Sequence, residues 1–405
     1  METKDLYREK NQCSGCEACS IVCPKHLIKM QPDEEGFLYP KIDDSSECIS
    51  CGKCLSVCPV KSPGRKPQAI LESHGGYIKN TEDIKKCASG GYATAISKQF
   101  ISQGGVVYGV KWSDDFMIPI YAKAATVDEV EHFRTSKYAQ AHKGQIYDSI
   151  LSDLRLGVKV LFIGLPCEVS ALYHYVGKNV ENLYTISLIC HGPTSPKVHE
   201  DFCSNLENKY HSKLAFFSLR NKVKGWKPYY IRAEFENGNC YQKPFERTTY
   251  GMAFQYLKRP SCSVCRYKTK DSSFGLISDL TLGDFHSVSQ NSVMYNSWGV
   301  SQASIQSEKG RYLLELISKS CVIDDIPSYT ILNTNEAFHV AIPQKEKRMQ
   351  FVSAYISHSL KYACYQPCVF VPYVRRQIEK NWMRFKSFLL NNCLRKLKSS
   401  KHKTL

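Results

Sequence analysis

The sequence lacks the features that send a chain out of the cell or into a membrane. Its first ten residues, Met1 to Lys10, are polar and charged, without the apolar core of a secretion signal. No apolar run reaches the roughly 18 residues that a membrane-spanning helix needs. Disorder is excluded over most of the length, because 43% of the residues are hydrophobic and 23% are charged. We therefore expect a globular cytoplasmic protein whose 405 residues form two or three units.

Cysteine, by contrast, is abundant, with nineteen residues. Such a number indicates either a disulfide scaffold or a metal-cluster protein, and these two classes need opposite redox compartments. A chain kept in the reducing cytoplasm favours clusters. The spacing of the cysteines then indicates which kind of cluster they bind.

Two cysteine runs with the same spacing lie in the first sixty residues. Each reads C-x2-C-x2-C-x3-C-P, the pattern of bacterial ferredoxins with two [4Fe-4S] clusters. In that pattern three closely spaced cysteines bind one cubane, and the fourth binds the other. The rule assigns Cys13, Cys16, Cys19 and Cys58 to one cluster, and Cys48, Cys51, Cys54 and Cys23 to the second.

Short strands predicted at residues 27–31 and 36–42, joined by an acidic turn, complete a small ferredoxin module. Zinc is the alternative metal, since four-cysteine zinc sites also use C-x2-C pairs. Zinc sites do not, however, need a third cysteine and a following proline in both runs. Clusters are therefore the favoured interpretation.

Beyond a linker rich in Pro, Gly and basic residues, apolar runs alternate with amphipathic stretches. This alternation is typical of an α/β domain. The pattern predicts strands at 106–110, 158–163 and 184–189, and helices at 92–101 and 168–176. The expected fold class is thus an α+β ferredoxin module (1–66), an α/β domain (67–345) and a basic helical tail (346–405).

Four further cysteines, Cys167, Cys190, Cys262 and Cys265, follow predicted strands or form a C-x2-C pair. Strand ends converge on functional sites in α/β folds, so these four could bind a third cluster. One pair and two single cysteines match no metal signature by themselves. Cys167 also begins a helix, where the helix dipole could make a reactive thiolate; the alternative is an inert buried thiol.

The turn Ser89-Gly90-Gly91 begins another predicted helix. Its free backbone N–H groups and the serine hydroxyl could bind a phosphate, although a Ser-Gly-Gly turn is more often a turn without a ligand.

In order along the chain, six motifs resemble the beta-subunit family of coenzyme F420 hydrogenase/dehydrogenase, in the branch with an N-terminal two-cluster ferredoxin. The resemblance covers residues 1 to about 320. It is carried by Ser89-Gly90-Gly91, Ser136-Lys137-Tyr138, Gly164-Leu165-Pro166-Cys167, the Ile-Cys-His-Gly-x-x-Ser-Pro motif at 189–196, Pro-x-Cys-x-x-Cys at 260–265, and Asp-x-Thr-Leu-Gly-Asp-Phe at 279–285.

The resemblance implies an α/β flavin and iron–sulfur domain that binds FAD beside a third [4Fe-4S] cluster. In that case Cys167, Cys190, Cys262 and Cys265 are the ligands of the third cluster. By the same resemblance, the FAD-binding residues are Ser89, Gly90, Gly91, Lys137 and Tyr138. We consider Lys137, His191 and His286 as catalytic residues, the two histidines as proton donors or, alternatively, as structural residues.

Three positions depart from the family pattern. The glutamine expected after Pro-Cys is Glu168, the tryptophan often found after Gly-Asp-Phe is His286, and Cys87 precedes the glycine turn. Substrate contacts therefore differ from the family pattern, and no residue identifies a coenzyme F420 pocket. Family members of this layout occur beside genes for polysaccharide synthesis, which suggests a role in surface-polysaccharide biosynthesis.

We expect an oxidoreductase that moves electrons between a one-electron donor, the clusters, FAD and a two-electron substrate. The candidate donors are reduced ferredoxin, NAD(P)H and reduced coenzyme F420. Two alternatives are a non-catalytic subunit that delivers electrons to a partner enzyme, such as a coenzyme F420-linked dehydrogenase, and a scaffold with vestigial clusters. The eight intact N-terminal cysteines argue against the scaffold.

The tail beyond Val371 contains ten Lys or Arg residues and one acid, Glu379. Helices are predicted at 355–363 and 374–397, the second with an apolar stripe and a basic face. This pattern suits docking on an anionic membrane surface, or equally packing of the stripe against the core. No recognition motif accompanies the charge, which argues against nucleic acid as the partner. Cys364 and Cys368 are interpreted as structural.

Overall fold

The computed structural model describes residues 6–62, 64–177, 180–270 and 275–401, with only the backbone described for Leu332, Arg384, Phe385 and 387–401. The chain divides into two compact units, residues 1–344 and 345–405. The first unit contains the ferredoxin motifs and the six motifs of the central region.

The N-terminal module is built from an internal repeat. Strands β1 (Ile28–Pro32) and β2 (Leu38–Ile42) pair in an antiparallel hairpin. Each cysteine run leads into a one-turn helix, α1 (Ala18–Ile21) or α2 (Lys53–Ser56). A residue with left-handed backbone precedes each of these helices, so the two cysteine loops share one backbone shape. The repeat in the sequence is therefore also a repeat in the structure.

The remaining strands form two sheets. These strands are β3 (Glu72–Ile78), β4 (Val106–Trp112), β5 (Pro119–Ala124), β6 (Val160–Gly164), β7 (Leu183–Leu188), β8 (Leu214–Asn221), β9 (Tyr230–Phe235), β10 (Cys240–Pro244), β11 (Leu280–Asp284), β12 (Ser301–Ile305) and β13 (Cys321–Asp325). The large sheet has the order β13-β3-β12-β11-β7-β6-β4-β5, and a small antiparallel sheet has the order β10-β9-β8. In the large sheet β11, β7, β6 and β4 are parallel neighbours, so their carboxyl ends share one edge.

Helices cover both faces of the large sheet. In the first unit they are α3 (Thr81–Lys86), α4 (Tyr92–Ser102), α5 (Ile146–Arg155), α6 (Pro166–Val176), α7 (Pro196–Tyr210), α8 (Thr249–Tyr256), α9 (Glu308–Glu315), α10 (Ser328–Thr334) and α11 (Glu336–His339), with 3-10 turns at Lys10–Gln12, Glu129–Phe133, Phe245–Arg247 and Pro260–Val264. Leu161 and Phe162 are neighbours on β6 yet belong to different hydrophobic clusters, because successive strand residues face opposite sides. The cluster around Phe162 also contains Ala18, Ile21 and Val57, so the ferredoxin module packs on this face.

Most of the predicted elements are confirmed. The five predicted strands end within two residues of β1, β2, β4, β6 and β7, and the two predicted helices of this region correspond to α4 and α6. The central region is mixed α/β, as expected. The antiparallel strands at both edges of the large sheet were not predicted, because short edge strands carry a weak periodic signal.

The second unit is helical, with α12 (Arg348–Ser357), α13 (Leu360–Tyr365) and α14 (Pro367–Lys401). The prediction of one helix over 355–363 is wrong. The chain leaves the helical conformation at His358, and the Ser359 side chain accepts the N–H of Tyr362, which caps a new helix.

The predicted helix at 374–397 lies within α14. The part of its apolar stripe beyond Met383 (Phe385, Phe388, Leu389 and Leu397) falls outside the side chains that the structure describes. Over the described residues, every helix is too short or too polar to cross a bilayer.

Candidate functional site

The eight ferredoxin cysteines fall into two groups around two separate cavities. The inner group consists of Cys13, Cys16, Cys19 and Cys58. The outer group consists of Cys23, Cys48, Cys51 and Cys54. In each group three cysteines come from one run and the fourth from the other run, which is the crossed arrangement that the spacing predicts. No disulfide joins the cysteines whose side chains the structure describes.

The inner group adjoins the central region, and the outer group is turned away from it. The Cys16 carbonyl accepts a hydrogen bond of 3.0 Å from the Tyr147 hydroxyl of α5, and the Cys13 carbonyl one of 2.8 Å from Arg259. Cys51 is exposed, and the neighbouring Ile49 side chain is 59% exposed. The outer group is therefore the end of the module that an external partner can reach.

The four cysteines of the central region line one cavity of about 360 Å³. Cys167 begins α6 directly after β6, and Cys190 follows β7, so the parallel strands deliver both to the same sheet edge. Cys262 lies in the 3-10 turn Pro260–Val264, and Cys265 follows that turn. Glu9, Asn11, Gln12, Ser14 and Val60 of the ferredoxin module line the same cavity. The core cysteines thus face the module.

Burial changes the chemistry of these thiols. Burial, and then the Glu168 carboxylate, raise the pKa of Cys167 well above its usual range. Burial also raises the pKa of Cys190, and it raises that of Cys262 to about 12. The interpretation of Cys167 as a low-pKa nucleophile is therefore wrong, because desolvation of the thiolate outweighs the helix dipole.

A backbone N–H and cationic side chains lie near Cys190 and Cys262. The Gly192 N–H donates to Cys190 Sγ at 3.2 Å, and the Lys268 ammonium donates to the Cys190 carbonyl at 2.9 Å. Lys258 and Arg259 favour the thiolate form of Cys262 electrostatically. No three His, Cys, Asp or Glu side chains within the described ranges are close enough for a single metal ion. Four cysteines with compensating positive charge fit a cluster, in which each thiolate binds a different iron.

A buried ion pair lies beside Cys167. Glu168 pairs with the Lys143 ammonium at 2.7 Å, and it accepts hydrogen bonds from the Tyr121 hydroxyl at 2.6 Å and the Leu165 N–H at 2.8 Å. Burial lowers the pKa of Lys143, but the carboxylates of Glu168 and Glu17 outweigh it and leave that pKa raised. The departure from the family glutamine at Glu168 therefore has a local cationic partner. No pattern in the sequence pointed to Lys143.

The glycine turn is packed tightly against the sheet. The Ser89 hydroxyl donates to the Val300 carbonyl at 2.8 Å. A Cβ at Gly90 would clash with the Gly76 carbonyl, and Gly91 has a φ of +95°. Packing alone therefore requires both glycines, whatever else the turn binds.

Lys137 and Tyr138 point to different surroundings. The Lys137 ammonium donates to the His132 carbonyl at 3.0 Å and to the Arg134 carbonyl at 2.7 Å, and burial lowers its pKa to about 7. The Tyr138 ring packs against Phe254, with 4.9 Å between the ring centroids.

Tyr138 also takes part in a polar cluster that sequence reasoning missed, which we call the Arg220 cluster. Arg220 pairs with Asp284 at 2.8 Å, and His286 lies 3.4 Å from the same carboxylate. Tyr138 and His191 interact electrostatically with Asp284. Two of the predicted residues, His191 and His286, are thus brought together.

The guanidinium of Arg220 is only partly satisfied. The side chain is 6% exposed, and its Nε and Nη2 atoms have no well-formed hydrogen bond among the described residues. Burial lowers the pKa of His191 to about 4, with Lys258 and Lys268 acting in the same direction, and burial also lowers the pKa of His286. Both histidines are therefore neutral at pH 7. The Arg220 guanidinium, although paired with Asp284, keeps two donor atoms without a well-formed hydrogen bond among the described residues.

Two regions of the chain match known protein families. Residues 12–62 match the family described as "4Fe-4S dicluster domain". Residues 157–327 match the family described as the C-terminal part of the beta subunit of coenzyme F420 hydrogenase/dehydrogenase. The predicted resemblance is therefore confirmed, and the match over residues 12–62 supports two [4Fe-4S] clusters in the N-terminal module.

Two curated relatives illustrate the similarity. The coenzyme F420-dependent sulfite reductase of Methanocaldococcus jannaschii is 28% identical over 164 residues, which are 40% of this chain and 24% of that protein. The F(420)H(2) dehydrogenase of Methanosarcina mazei has a subunit that is 22% identical over 196 residues, which are 44% of this chain and 53% of that relative. The alignments thus span about a quarter and about half of these relatives.

A chain of the F420-reducing [NiFe] hydrogenase complex from Methanosarcina barkeri matches 64% of this chain and 84% of its own length, with 18% identity and a TM-score of 0.43.

Proposed function

We propose that this chain, whose residues 157–327 belong to the family of coenzyme F420 hydrogenase/dehydrogenase beta subunits and whose N-terminus is a 4Fe-4S dicluster domain, is an iron–sulfur flavoprotein oxidoreductase. It moves electrons between a one-electron donor, three [4Fe-4S] clusters, FAD and a two-electron substrate. The observation that carries the proposal is the single cavity lined by Cys167, Cys190, Cys262 and Cys265 and closed on one side by the ferredoxin module.

The core cysteines would hold the third cluster. Burial raises the pKa of the Cys167, Cys190 and Cys262 thiols, so binding to the iron ions of a cluster is the natural way to hold thiolates there. The N–H of Gly192 and the ammonium of Lys268 supply the hydrogen bond and positive charge that stabilise an anionic cluster. The Lys143–Glu168 pair fixes the start of α6 and with it Cys167.

The Arg220 cluster would bind an anionic part of FAD. Arg220 is buried with two donors unused among the described residues, as expected where a ligand supplies the acceptors. Ser89 lies beside Asp284 of the same cluster, which agrees with a role for the Ser89-Gly90-Gly91 turn in FAD binding. When bound, FAD would supply the exchange between single electrons and an electron pair that the clusters cannot perform.

The proton-handling residues follow from the same geometry. His191 lines the cysteine cavity and also interacts electrostatically with Asp284 and His286, so it bridges the two sites. His286 is the more accessible of these groups, with 42% of its side chain exposed, and can exchange protons with solvent. We assign a proton relay to His191 and His286, because a neutral imidazole can accept a proton at one ring nitrogen and release one from the other. The Lys137 amine is a third catalytic candidate because burial brings its pKa to about 7.

An external donor would meet the outer cysteine group. That group is at the exposed end of the module, and the inner group lies between it and the central region. Reduced ferredoxin, NAD(P)H and reduced coenzyme F420 remain the candidate donors, and surface-polysaccharide biosynthesis remains the candidate process.

The alternative is a non-catalytic subunit that passes electrons to a partner enzyme. The relatives named as a reductase and as part of a dehydrogenase are compatible with either role. The observation that favours the alternative is the tight packing of the glycine turn, which by itself accounts for Gly90 and Gly91 without FAD.

Anaerobic purification followed by iron, sulfide and flavin analysis tests the proposal. We expect about twelve irons and one FAD per chain, from three cubanes. Cys167→Ser should reduce the iron to about eight, whereas the matched control Cys240→Ser, at an exposed cysteine of β10, should leave it at about twelve. About eight irons and no flavin in the native protein would contradict the proposal and leave the electron-transfer role.

A second part of the proposal places the tail on an anionic membrane surface. On α14 the side chains of Val371, Ile378 and Trp382 are 56–63% exposed, and basic residues alternate with them. Flotation with vesicles should show binding to anionic lipid and none to neutral lipid. Trp382→Glu should weaken that binding, whereas Tyr329→Glu, at an equally exposed aromatic residue of the first unit, should not. Equal binding to neutral vesicles would contradict this placement.

A further inference from the structure

Arg259 is the largest of the fully buried side chains of the described structure, with 1% of its surface exposed. It lies between α8 and the turn Pro260–Val264, three residues before Cys262. A buried guanidinium is costly unless its donors are all used. The location of the groups that accept its hydrogen bonds therefore indicates the role of Arg259.

Most of the partners of Arg259 belong to the ferredoxin module, at Cys13 and on strand β2. Arg259 Nε donates to the Cys13 carbonyl at 2.8 Å, and Nη2 donates to the Leu38 carbonyl at 3.0 Å. Nη2 also lies 3.6 Å from Cys13 Sγ, within hydrogen-bond distance for sulfur. The guanidinium stacks on the Tyr39 ring, 4.1 Å from its centroid. Nη1 completes the set with a bond of 2.8 Å to Gln140 Oε1.

The ferredoxin loop is shaped to receive this side chain. Gly15 has a φ of +69°, and a Cβ there would lie 2.7 Å from Arg259 Nη1 and would clash with the Gln140 amide. Gln140 Nε2 donates in turn to the Gly15 carbonyl at 3.1 Å. Three segments far apart in sequence therefore meet at one guanidinium.

We propose that Arg259 is a positioning residue that couples the inner ferredoxin cluster to the core site and raises the reduction potential of that cluster. The coupling to the core site depends on the proposed function; the effect on the inner cluster depends only on the dicluster domain. Arg259 holds Cys13 at one end and the Cys262 loop at the other, so a single side chain fixes the separation of the two sites.

The direction of the effect follows from charge. A reduced cluster carries one more negative charge than an oxidised one, so a nearby cation and a hydrogen bond to a ligand sulfur stabilise the reduced form. The contacts of Arg259 with the ferredoxin module are to Cys13 and to the hairpin strand that contains Leu38 and Tyr39, on the inner side. Loss of the Arg259 charge should therefore lower the potential of the inner cluster and leave that of the outer cluster unchanged.

Redox titration of the anaerobic holoprotein, followed by EPR, tests this inference with a graded pair of variants. Arg259→Lys keeps the positive charge but loses the planar guanidinium with its several donors, and Arg259→Gln loses both. We expect the potential of one ferredoxin cluster to fall, more in Arg259→Gln than in Arg259→Lys, while the other ferredoxin cluster stays unchanged. Arg155→Lys, at an exposed arginine of α5, is the control and should shift neither. Unchanged potentials, or equal shifts of both clusters with full iron content, would overturn the proposal.

A measurement on the wild-type protein covers the case in which both variants lose iron. Pulsed EPR of protein made with ¹⁵N-arginine should show coupling of the labelled nitrogen to one reduced ferredoxin cluster; its absence from both would overturn the inference. Iron analysis separates this result from the proposed function. About eight irons with the labelled-nitrogen coupling present would refute the third cluster and keep the role of Arg259 at the inner cluster.

Discussion

Replacement of Lys143 by methionine tests the buried charge network beside Cys167. The side chains of Lys143 and Glu168 are 2% and 7% exposed, and their charged atoms lie 2.7 Å apart. The carboxylates of Glu168 and Glu17 raise the pKa of Lys143 against the lowering effect of burial, so the ammonium form persists at neutral pH. Lys143→Met would leave Glu168 buried without its cation.

The expected cost follows from what Glu168 retains. Removing one partner of a buried ion pair costs about 3–5 kcal/mol of the free energy of unfolding. Glu168 would keep hydrogen bonds from the Tyr121 hydroxyl and the Leu165 N–H, which favours the lower end, about 3 kcal/mol. At about 2 °C per kcal/mol for a long chain, the melting temperature should fall by about 6 °C.

Calorimetry and urea unfolding of the anaerobic holoprotein would measure the effect. Lys159→Met, at an exposed lysine just before β6, is the matched control and should change stability by less than about 0.5 kcal/mol. In a double-mutant cycle with Glu168→Gln, the coupling energy should exceed about 1 kcal/mol. A coupling below about 0.5 kcal/mol, or equal effects of Lys143→Met and Lys159→Met, would refute the assignment of a stabilising ion pair.

Two further predictions concern residues of the central region. Gly76→Ala should lower the free energy of unfolding, measured with urea, by about 3 kcal/mol or more, because Gly76 has a φ of +152° and a Cβ would clash with the Val322 carbonyl. The control Gly104→Ala, at a glycine with positive φ but open space around it, should lower it by only about 1 kcal/mol. Equal losses in the two variants would exclude the clash. Burial lowers the pKa of Lys222 from 10.5 to about 7. The unfolded chain then binds more protons between these values, so the free energy of unfolding should rise from about pH 7 to about pH 10. Lys222→Met should flatten that rise, measured as urea midpoints at several pH values, and a slope identical to wild type would count against the buried neutral amine.

The ferredoxin module could be predicted almost completely from the sequence. Within each run the cysteine ligands are separated by two or three residues, so the local sequence spacing alone indicates a [4Fe-4S] cubane. The strands and helices around Cys167 and Cys190 were also predictable, because buried β-branched runs and amphipathic helices have a periodic signal. The helix break at Ser359 was missed, since a single serine cap does not disturb the apolar pattern around it.

The sequence by itself determined the local chemistry: two cysteine runs for two clusters, and four further cysteines, two at strand ends and two in a C-x2-C pair. The tertiary structure decided what surrounds them. It turned Cys167 from a suggested nucleophile into a thiol of raised pKa, gave Glu168 its partner Lys143, and brought Arg259 to Cys13, 246 residues away. The physical reason is that ligand spacing is set within a few residues, whereas desolvation and charge pairing depend on groups that meet only when the sheet and its helices have packed.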